Sequence, residues 1–183
     1  SVRFVKRGDA DVNYGIQVPG EYCNNNPKAA SVCIRKGNLA YYATSPGQVL
    51  FNWFAPDTNL GQYNPKSTEI ATKLNDKSEI GSTWGIAYQR TTGLIWGSAF
   101  IRRHVSIGPE GIGGLYVYDT SGNQVATFDL INDKGLVLAA NPALYSDANR
   151  GITNVPPFYS NDVPAWAGVG TEGLGDIDTS IDQ

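Results

Sequence analysis

The sequence predicts an all-β fold, namely a partial β-propeller built from four-stranded antiparallel blades with long inserted loops. Short runs in which apolar and polar residues alternate recur along the chain, and this is the period of half-buried strands. Glycine-containing turns separate the runs, while helical periodicity is almost absent. Four consecutive runs between Ser82 and Leu130 match one propeller blade in length and order.

Length, composition and charge limit the classes of protein to which the chain can belong. A length of 183 residues suits one domain, or one domain with a short appendage. Hydrophobic residues make up 41% and charged residues 17%, which is typical of a globular chain. Because the net charge is -3, we expect no nucleic-acid partner. The sequence lacks an apolar run of about 18 residues, so we also expect no membrane span.

The sequence also carries signs of an extracellular protein. Glycine, tyrosine, threonine and serine are abundant, and this usage is common among secreted β-proteins. The chain begins with Ser1, contains no methionine and shows no secretory signal. We therefore expect a mature product or a piece of a longer precursor.

The strand pattern divides the chain into two regions. Residues 1–31 alternate only weakly and are predicted to be the end of one module and a linker. Residues 32–183 carry the blades, and residues 31–45 are predicted to form a hairpin that turns at residues 36–38. A new blade begins at Gly173, so the propeller is expected to be incomplete at the C-terminus.

The clearest blade lies in the middle of the chain. Its four predicted strands are residues 82–90, 94–101, 113–120 and 124–130. A polar, proline-rich connection over residues 132–169 follows it. A loop of that length is either functional or strapped to the surface.

The two cysteines of the chain, Cys23 and Cys33, are separated by a short polar loop. This pattern favours a local disulfide in an oxidising compartment, and the alternative is a pair of unpaired thiols. A metal site would need more histidine or cysteine ligands than the sequence provides.

Three sequence features resemble one known family. They are the Arg103-His104 step, the glycine-rich segment that leads from Gly108 into an aromatic strand at Tyr116, and the Gly-x-Gly-Asp-x-Asp run that ends at Asp178. Over nearly the whole chain, the series resembles the β-propeller region, of YVTN and WD-repeat type, of large multidomain bacterial cell-surface proteins. In that family the propeller follows SdrD B-like stalk repeats of immunoglobulin type.

The resemblance implies a location and a class of function. Residues 1–31 would be the end of a stalk repeat with its cysteine-containing junction. The protein would lie at the bacterial cell surface or be secreted, with adhesion, surface matrix or filament assembly as its role and no catalytic residues. Because family members carry further blades, open sheet edges would be covered by the remaining blades of the same protein or by neighbouring copies.

His104 and the glycine-rich segment after it invite an enzymatic interpretation. A histidine suits general base catalysis near neutral pH, but the sequence offers it no obvious nucleophile. Phosphate loops need a helix directly after the glycines, and here an apolar strand follows. We therefore predict that His104 fixes the path of a loop and that the glycines form a turn.

Three acidic residues near the C-terminus, Asp176, Asp178 and Asp182, are spaced as in some calcium loops. An EF-hand would require an acid or amide at Ser180, then a glycine and a later glutamate, and these are absent. We predict no cofactor, with hydrogen bonding between blades as the role of these acids. Calcium at the three residues is the alternative.

Trp166 lies in the long connection, whereas Trp84 and Trp96 lie in predicted strands, where aromatic residues usually pack in the core. The residues predicted to contact a partner or ligand are Arg102, Arg103, His104, Glu110 and Trp166.

The expected function is that of a non-catalytic structural or interaction module. Its partner would be a surface glycan or a protein ligand. One alternative is a carbohydrate-binding module. Another is a hydrolase or lyase on a propeller scaffold, which would need carboxylates or histidine to converge at one site.

Overall fold

Two antiparallel sheets form the framework of the computed structural model, which describes residues 28–52, 72–155 and 161–180. The first sheet has the order β1 (Lys28–Val32), β2 (Pro46–Asn52) and β3 (Thr72–Asp76). The second has the order β4 (Thr83–Gln89), β5 (Leu94–Ala99), β6 (Gly114–Asp119) and β7 (Gln124–Asp129). Four short helices accompany them: α1 (Lys77–Ile80), α2 (Leu130–Lys134), α3 (Asp147–Arg150) and α4 (Val163–Gly168). Two 3₁₀ turns lie at Gly111–Gly113 and Pro142–Tyr145.

The second sheet confirms the four predicted strands of the central unit. Ala87 pairs with Trp96, Trp96 with Val117, and Val117 with Ala126, so consecutive strands are antiparallel neighbours. The β6–β7 turn uses Gly122 at φ 89°, a conformation that glycine adopts without steric cost.

The hairpin predicted over residues 31–45 does not form. β1 ends at Val32 and pairs with β2 rather than with the residues that follow it. Residues 33–45 instead form a long turn whose carbonyl groups point at the Lys77 ammonium. Those carbonyls are therefore bound to a buried cation and do not join a ladder.

The core lies between the two sheets and at one end of them. Close approach of the sheets is visible at Gly97, where a Cβ atom would lie 2.5 Å from Gln48 Nε2. The buried apolar side chains include Leu50, Leu74, Ile80, Ile95, Ile101, Ile112, Tyr116 and Tyr118.

The tryptophans of the second sheet are less buried than predicted. Trp84 is 52% exposed and packs against Phe100, with ring centroids 5.6 Å apart. Its strand lies at the edge of the sheet and, within the described residues, has a neighbouring strand on one flank only. Trp96 is half-buried and stacks on Phe128 at 6.1 Å.

The long connection is ordered by its own short helices where it is described. Tyr145 and Ala165 bury their side chains in the core, and Tyr145 donates a hydrogen bond to the Glu172 carboxylate. Burial and this bond raise the pKa of Tyr145 to about 12. The connection is therefore strapped to the sheets by specific contacts.

The predicted propeller is not found in the described residues, which form two open sheets of three and four strands rather than a closed ring. The strand predicted after Gly173 is also absent, since residues 174–180 have no ladder pairing and contact the second sheet through side-chain hydrogen bonds. Ser98 Oγ donates to Gly175 O at 2.6 Å. The Asp176 and Asp178 carboxylates bond to the backbone N–H of the next residue, which competes with strand pairing.

Among the described residues, no helix is long and apolar enough to cross a membrane.

Candidate functional site: an arginine–tryptophan surface on a pinned turn

The site is built on a tight turn from Arg102 to Val105. The Val105 N–H donates to Arg102 O at 3.4 Å, and Arg103 and His104 occupy the two central positions. His104 has φ 63°, in the left-handed region that glycine normally occupies at this position of a turn. The backbone therefore carries strain of the kind that clusters at functional sites.

A fully buried ion pair lies beneath the turn. Arg150 Nε donates to Asp162 Oδ1 at 3.0 Å and Arg150 Nη2 donates to Asp162 Oδ2 at 2.8 Å, and neither side chain is exposed. Local sequence signals position both groups. Ser146 caps the N-terminus of α3 and Gly151 ends it at φ 66°, which fixes Arg150 in the last turn. Asp162 caps α4 by accepting from the Ala165 N–H.

The ion pair holds the turn by two further hydrogen bonds. Arg150 Nη2 donates to Arg102 O at 2.6 Å, and the His104 N–H donates to Asp162 Oδ2 at 2.7 Å. Burial alone would raise the pKa of Asp162, but the hydrogen bonds from Arg150 and His104 outweigh it and hold the pKa below its usual value. The carboxylate is thus charged and fully engaged in positioning the backbone.

The exposed side of the turn carries a cation–π pair. The Arg103 guanidinium lies 5.1 Å from the centroid of the Trp166 ring, and Trp166 is 72% exposed. Asp162 caps the helix on which Trp166 lies and also accepts a hydrogen bond from the His104 N–H. One carboxylate therefore positions both the helix that carries Trp166 and the turn that carries Arg103. The structure therefore brings together four of the residues singled out in the sequence: Arg102, Arg103, His104 and Trp166.

Glu110 lies in a separate part of the fold. Its carboxylate accepts from Thr127 Oγ1 at 3.0 Å, beside strand β7. Its backbone N–H donates to Tyr116 Oη. These contacts join Glu110 to the second sheet and not to the Arg102–Val105 turn.

The glycine-rich segment forms a turn that leads into strand β6, as predicted. Gly108 allows the backbone to pass close to the core, because a Cβ atom there would lie 2.4 Å from Ile80 O. Beside this segment is a cavity of about 370 Å³ whose lining includes Ile107, Tyr145 and Asp147. The Asp147 carboxylate accepts from Ser106 Oγ at 2.6 Å.

The predicted Cys23–Cys33 disulfide stays a prediction, because Cys23 lies outside the described residues. Cys33 is half-buried and forms no disulfide within the described part of the chain. Burial raises the pKa of its thiol.

The calcium alternative also stays a prediction. Asp176 and Asp178 are exposed and bond to neighbouring backbone N–H groups, and Asp182 lies outside the described residues. Over the ranges that the structure covers, no group of three or more histidine, cysteine or acidic side chains is arranged to hold a metal ion.

Sequence reasoning missed two buried cations that organise the surface, Arg150 and Lys77. Signals for Arg150 were present, since capping residues bracket its helix and Asp162 precedes a proline at the start of the next one. Lys77 lies between Asp76 and Glu79, which form a capping box at the start of helix α1. That motif predicts a helix start, but nothing in it shows that the lysine turns inward.

Comparison with known proteins finds two relatives among curated proteins, both from Dictyostelium discoideum. Colossin-D is 33% identical over 115 residues, which cover 60% of this chain and 12% of that protein. Colossin-A is 28% identical over 100 residues, which cover 55% of this chain and 1% of that protein. The chain therefore spans a small part of either relative. No protein-family model and no solved structure matches.

These relatives correct the resemblance drawn from the sequence. The similar proteins are eukaryotic colossins and not bacterial cell-surface proteins with SdrD B-like stalk repeats. The resemblance relied on short glycine, aspartate and aromatic motifs. Such motifs serve turn and strand geometry in many β-proteins, so they identify a lineage poorly.

Proposed function

We propose that this chain is a non-catalytic interaction module of an extracellular structural protein, and that the Arg102–Val105 turn with Trp166 is its contact surface. The observation that carries the proposal is the buried Arg150–Asp162 pair, which fixes the backbone directly beneath two exposed contact side chains.

The chemistry of the surface supports binding. Arginine and tryptophan are the residue types that contribute most to binding energy at protein interfaces. The turn is held in place before any partner arrives, so association would cost less conformational entropy. Trp166, which is 72% exposed, would gain burial on contact.

The extracellular location rests on the composition and on the predicted disulfide. The relatives support a modular role, because each is a much longer chain of which this sequence matches a small part. A module within a long chain suits a structural protein better than it suits a free-standing enzyme.

The absence of catalysis is part of the proposal. His104 is the only histidine of the chain, and its neighbour Asp162 already binds Arg150, the His104 amide and the start of α4. That carboxylate would have to release the turn before it could act as a base. Ser106 Oγ is fully buried and bonds to Asp147, so it does not face a substrate.

Binding to isolated extracellular matrix tests the proposal. Beads coated with the protein should bind matrix preparations, and beads coated with the Arg103→Gln, Trp166→Ala double variant should bind at most about a tenth as well. Lys134→Gln removes an exposed positive charge from α2 and is the matched control. Equal binding by the wild type and the double variant would contradict the proposal.

A further inference from the structure

We propose that the partner is an acidic polysaccharide, recognised by two arginine–aromatic pairs. One pair lies on the loop of residues 35–42, and the other is formed by the Arg102–Val105 turn and helix α4. The inference rests on the proposed function, because the Arg103–Trp166 pair is half of the surface. The other half is a pair that the sequence did not single out, Arg35 and Tyr42.

The second pair has the same construction as the first. The Arg35 guanidinium lies 5.2 Å from the centroid of the Tyr42 ring, and Tyr42 is 56% exposed. Tyr41 packs edge-on against Tyr42, with ring centroids 4.3 Å apart. Each pair therefore offers a cation beside an aromatic ring that solvent reaches.

Backbone hydrogen bonds join the two loops. The Gly37 N–H donates to His104 O at 2.8 Å, and the Ser106 N–H donates to Gly37 O at 3.3 Å. Gly37 and Val105 form a parallel bridge. Arg35 and Arg103 are thus each within two residues, in sequence, of one shared junction.

Each loop is held from beneath by a buried cation. Arg150 donates a hydrogen bond to the carbonyl oxygen of Arg102. The Lys77 ammonium, with the side chain 1% exposed, donates to Asn38 O at 2.7 Å and to Tyr41 O at 2.9 Å. Burial lowers the pKa of Lys77. Both loops are therefore fixed at the carbonyl groups next to their exposed side chains.

Backbone strain falls on the same two loops. Tyr42 at φ 53° and His104 at φ 63° are the two residues other than glycine with positive φ in the described part of the chain. Glycine would relieve the strain at either position. That side chains stand at both indicates a role for this surface beyond stability.

The charge of the surface is positive although the chain as a whole is negative. Residues 35–42 and 102–105 contain Arg35, Lys36, Arg102 and Arg103 and no acidic residue, while the chain has a net charge of -3. The acidic groups beneath the loops are engaged, Asp162 by Arg150 and Asp147 by Ser106. An anionic partner would therefore meet cations without facing exposed carboxylates of these loops.

The aromatic rings favour a polysaccharide among anionic partners. A sugar ring presents a flat face of C–H groups that packs on an exposed aromatic ring, and its carboxylate or sulfate can bind a guanidinium at two points. A polysaccharide repeats both features along its length, as the surface repeats its arginine–aromatic pair. An acidic peptide would use the arginines but has no regular partner for the two rings.

The test measures binding of immobilised protein to four probes by biolayer interferometry. Polygalacturonate and dextran sulfate carry carboxylate and sulfate, dextran is neutral, and poly-glutamate is an acidic peptide. We expect binding to at least one acidic polysaccharide, weakened as ionic strength rises. The acid group that binds more tightly identifies the ligand chemistry. Binding to poly-glutamate and dextran should be at least about tenfold weaker.

Single variants then separate this inference from the proposed function. Arg35→Gln and Arg103→Gln should each weaken polysaccharide binding about fivefold or more, and Lys134→Gln should leave it unchanged. If Arg103→Gln and Trp166→Ala weaken matrix binding while Arg35→Gln changes neither matrix nor polysaccharide binding, the inference of a surface with two arginine–aromatic pairs is wrong. In that case the proposed function stands. Equal affinity for dextran or for poly-glutamate would also overturn the inference. If the wild type binds neither matrix nor any probe, both proposals fail.

Discussion

The Arg150 guanidinium and the Asp162 carboxylate form a two-point ion pair with both side chains fully buried. Removing two charges from water is costly, and a buried pair offsets that cost only when further hydrogen bonds satisfy its atoms. Here such bonds go to Arg102 O and come from the His104 N–H, while Arg150 Nη1 is buried without a hydrogen-bond partner among the described residues. The pair therefore links the long connection to the turn that carries the contact residues.

Breaking this pair on one side should destabilise the protein strongly. Arg150→Met leaves an unpaired buried carboxylate, and we expect a loss of about 3–5 kcal/mol in the free energy of unfolding. Urea denaturation followed by tryptophan fluorescence measures it. The double variant Arg150→Met, Asp162→Leu should lose less than Arg150→Met alone because no charge remains buried. A double variant less stable than the single one would contradict this account of the pair.

Acid should weaken the same contact. The pKa of Asp162 is lower in the folded than in the unfolded state, so its contribution is present above the unfolded value of about 3.9 and is lost as pH falls through the folded value. The urea concentration at which half of the protein is unfolded should therefore decrease as the pH is lowered below about 4. Asp162→Asn should show a shallower fall over that range. Parallel pH profiles for the two proteins would show that Asp162 does not carry the effect.

Lys77 should matter far more than a neighbouring lysine on the surface. Lys77→Met removes the donor for carbonyls of residues 36–41, and each unsatisfied buried acceptor costs about 1–3 kcal/mol. Lys73 forms an exposed ion pair with Asp76, so Lys73→Met should cost less than about 1 kcal/mol. Thermal unfolding by circular dichroism compares the two variants. Equal melting temperatures would show that the carbonyl cluster is not a stabilising contact.

Glycine at the strained position of the turn should stabilise the protein. His104→Gly relieves a left-handed conformation, and we expect a gain of up to about 1 kcal/mol. Arg102→Gly in the same turn has no such strain to relieve and should lower stability. Chemical denaturation distinguishes the two. If His104→Gly is the less stable variant, its side-chain contacts outweigh the backbone strain.

The second sheet could be predicted from the sequence because its signals are local. Alternation in β4 and glycine turns such as the one at Gly122 specify neighbouring antiparallel strands without distant contacts. The Arg102–Val105 turn stands out in the sequence because it combines two adjacent arginines with the only histidine of the chain. Trp166 stands out because it lies outside the predicted strands.

The parts of the fold and of the candidate site that could not be predicted depend on contacts between residues that are distant in the sequence. Lys77 reaches carbonyls some 40 positions earlier in the chain, and no local pattern predicts that residues 33–45 would wrap a cation instead of forming a hairpin. The hydrogen bond from Arg150 to Arg102 O could not be predicted for the same reason, since the two residues lie far apart in the sequence. The strand predicted after Gly173 does not form, because the Asp176 and Asp178 carboxylates there accept hydrogen bonds from the backbone N–H of the following residue. Arg35 and Tyr42 are not indicated by the sequence, because their loop reaches the site through backbone hydrogen bonds between Gly37 and the distant residues His104 and Ser106.

Titration of ¹⁵N-labelled protein with the acidic polysaccharide that binds most tightly, followed by two-dimensional NMR, tests the central claim most directly. The account predicts that the largest shifts occur in the backbone amides of residues 35–42 and 102–106 and in the Trp166 indole N–H. Residues of the opposite face of the second sheet, around Ala87, Leu115 and Thr179, should not respond. Shifts concentrated on that face, or none at the Arg102–Val105 turn, would contradict the account.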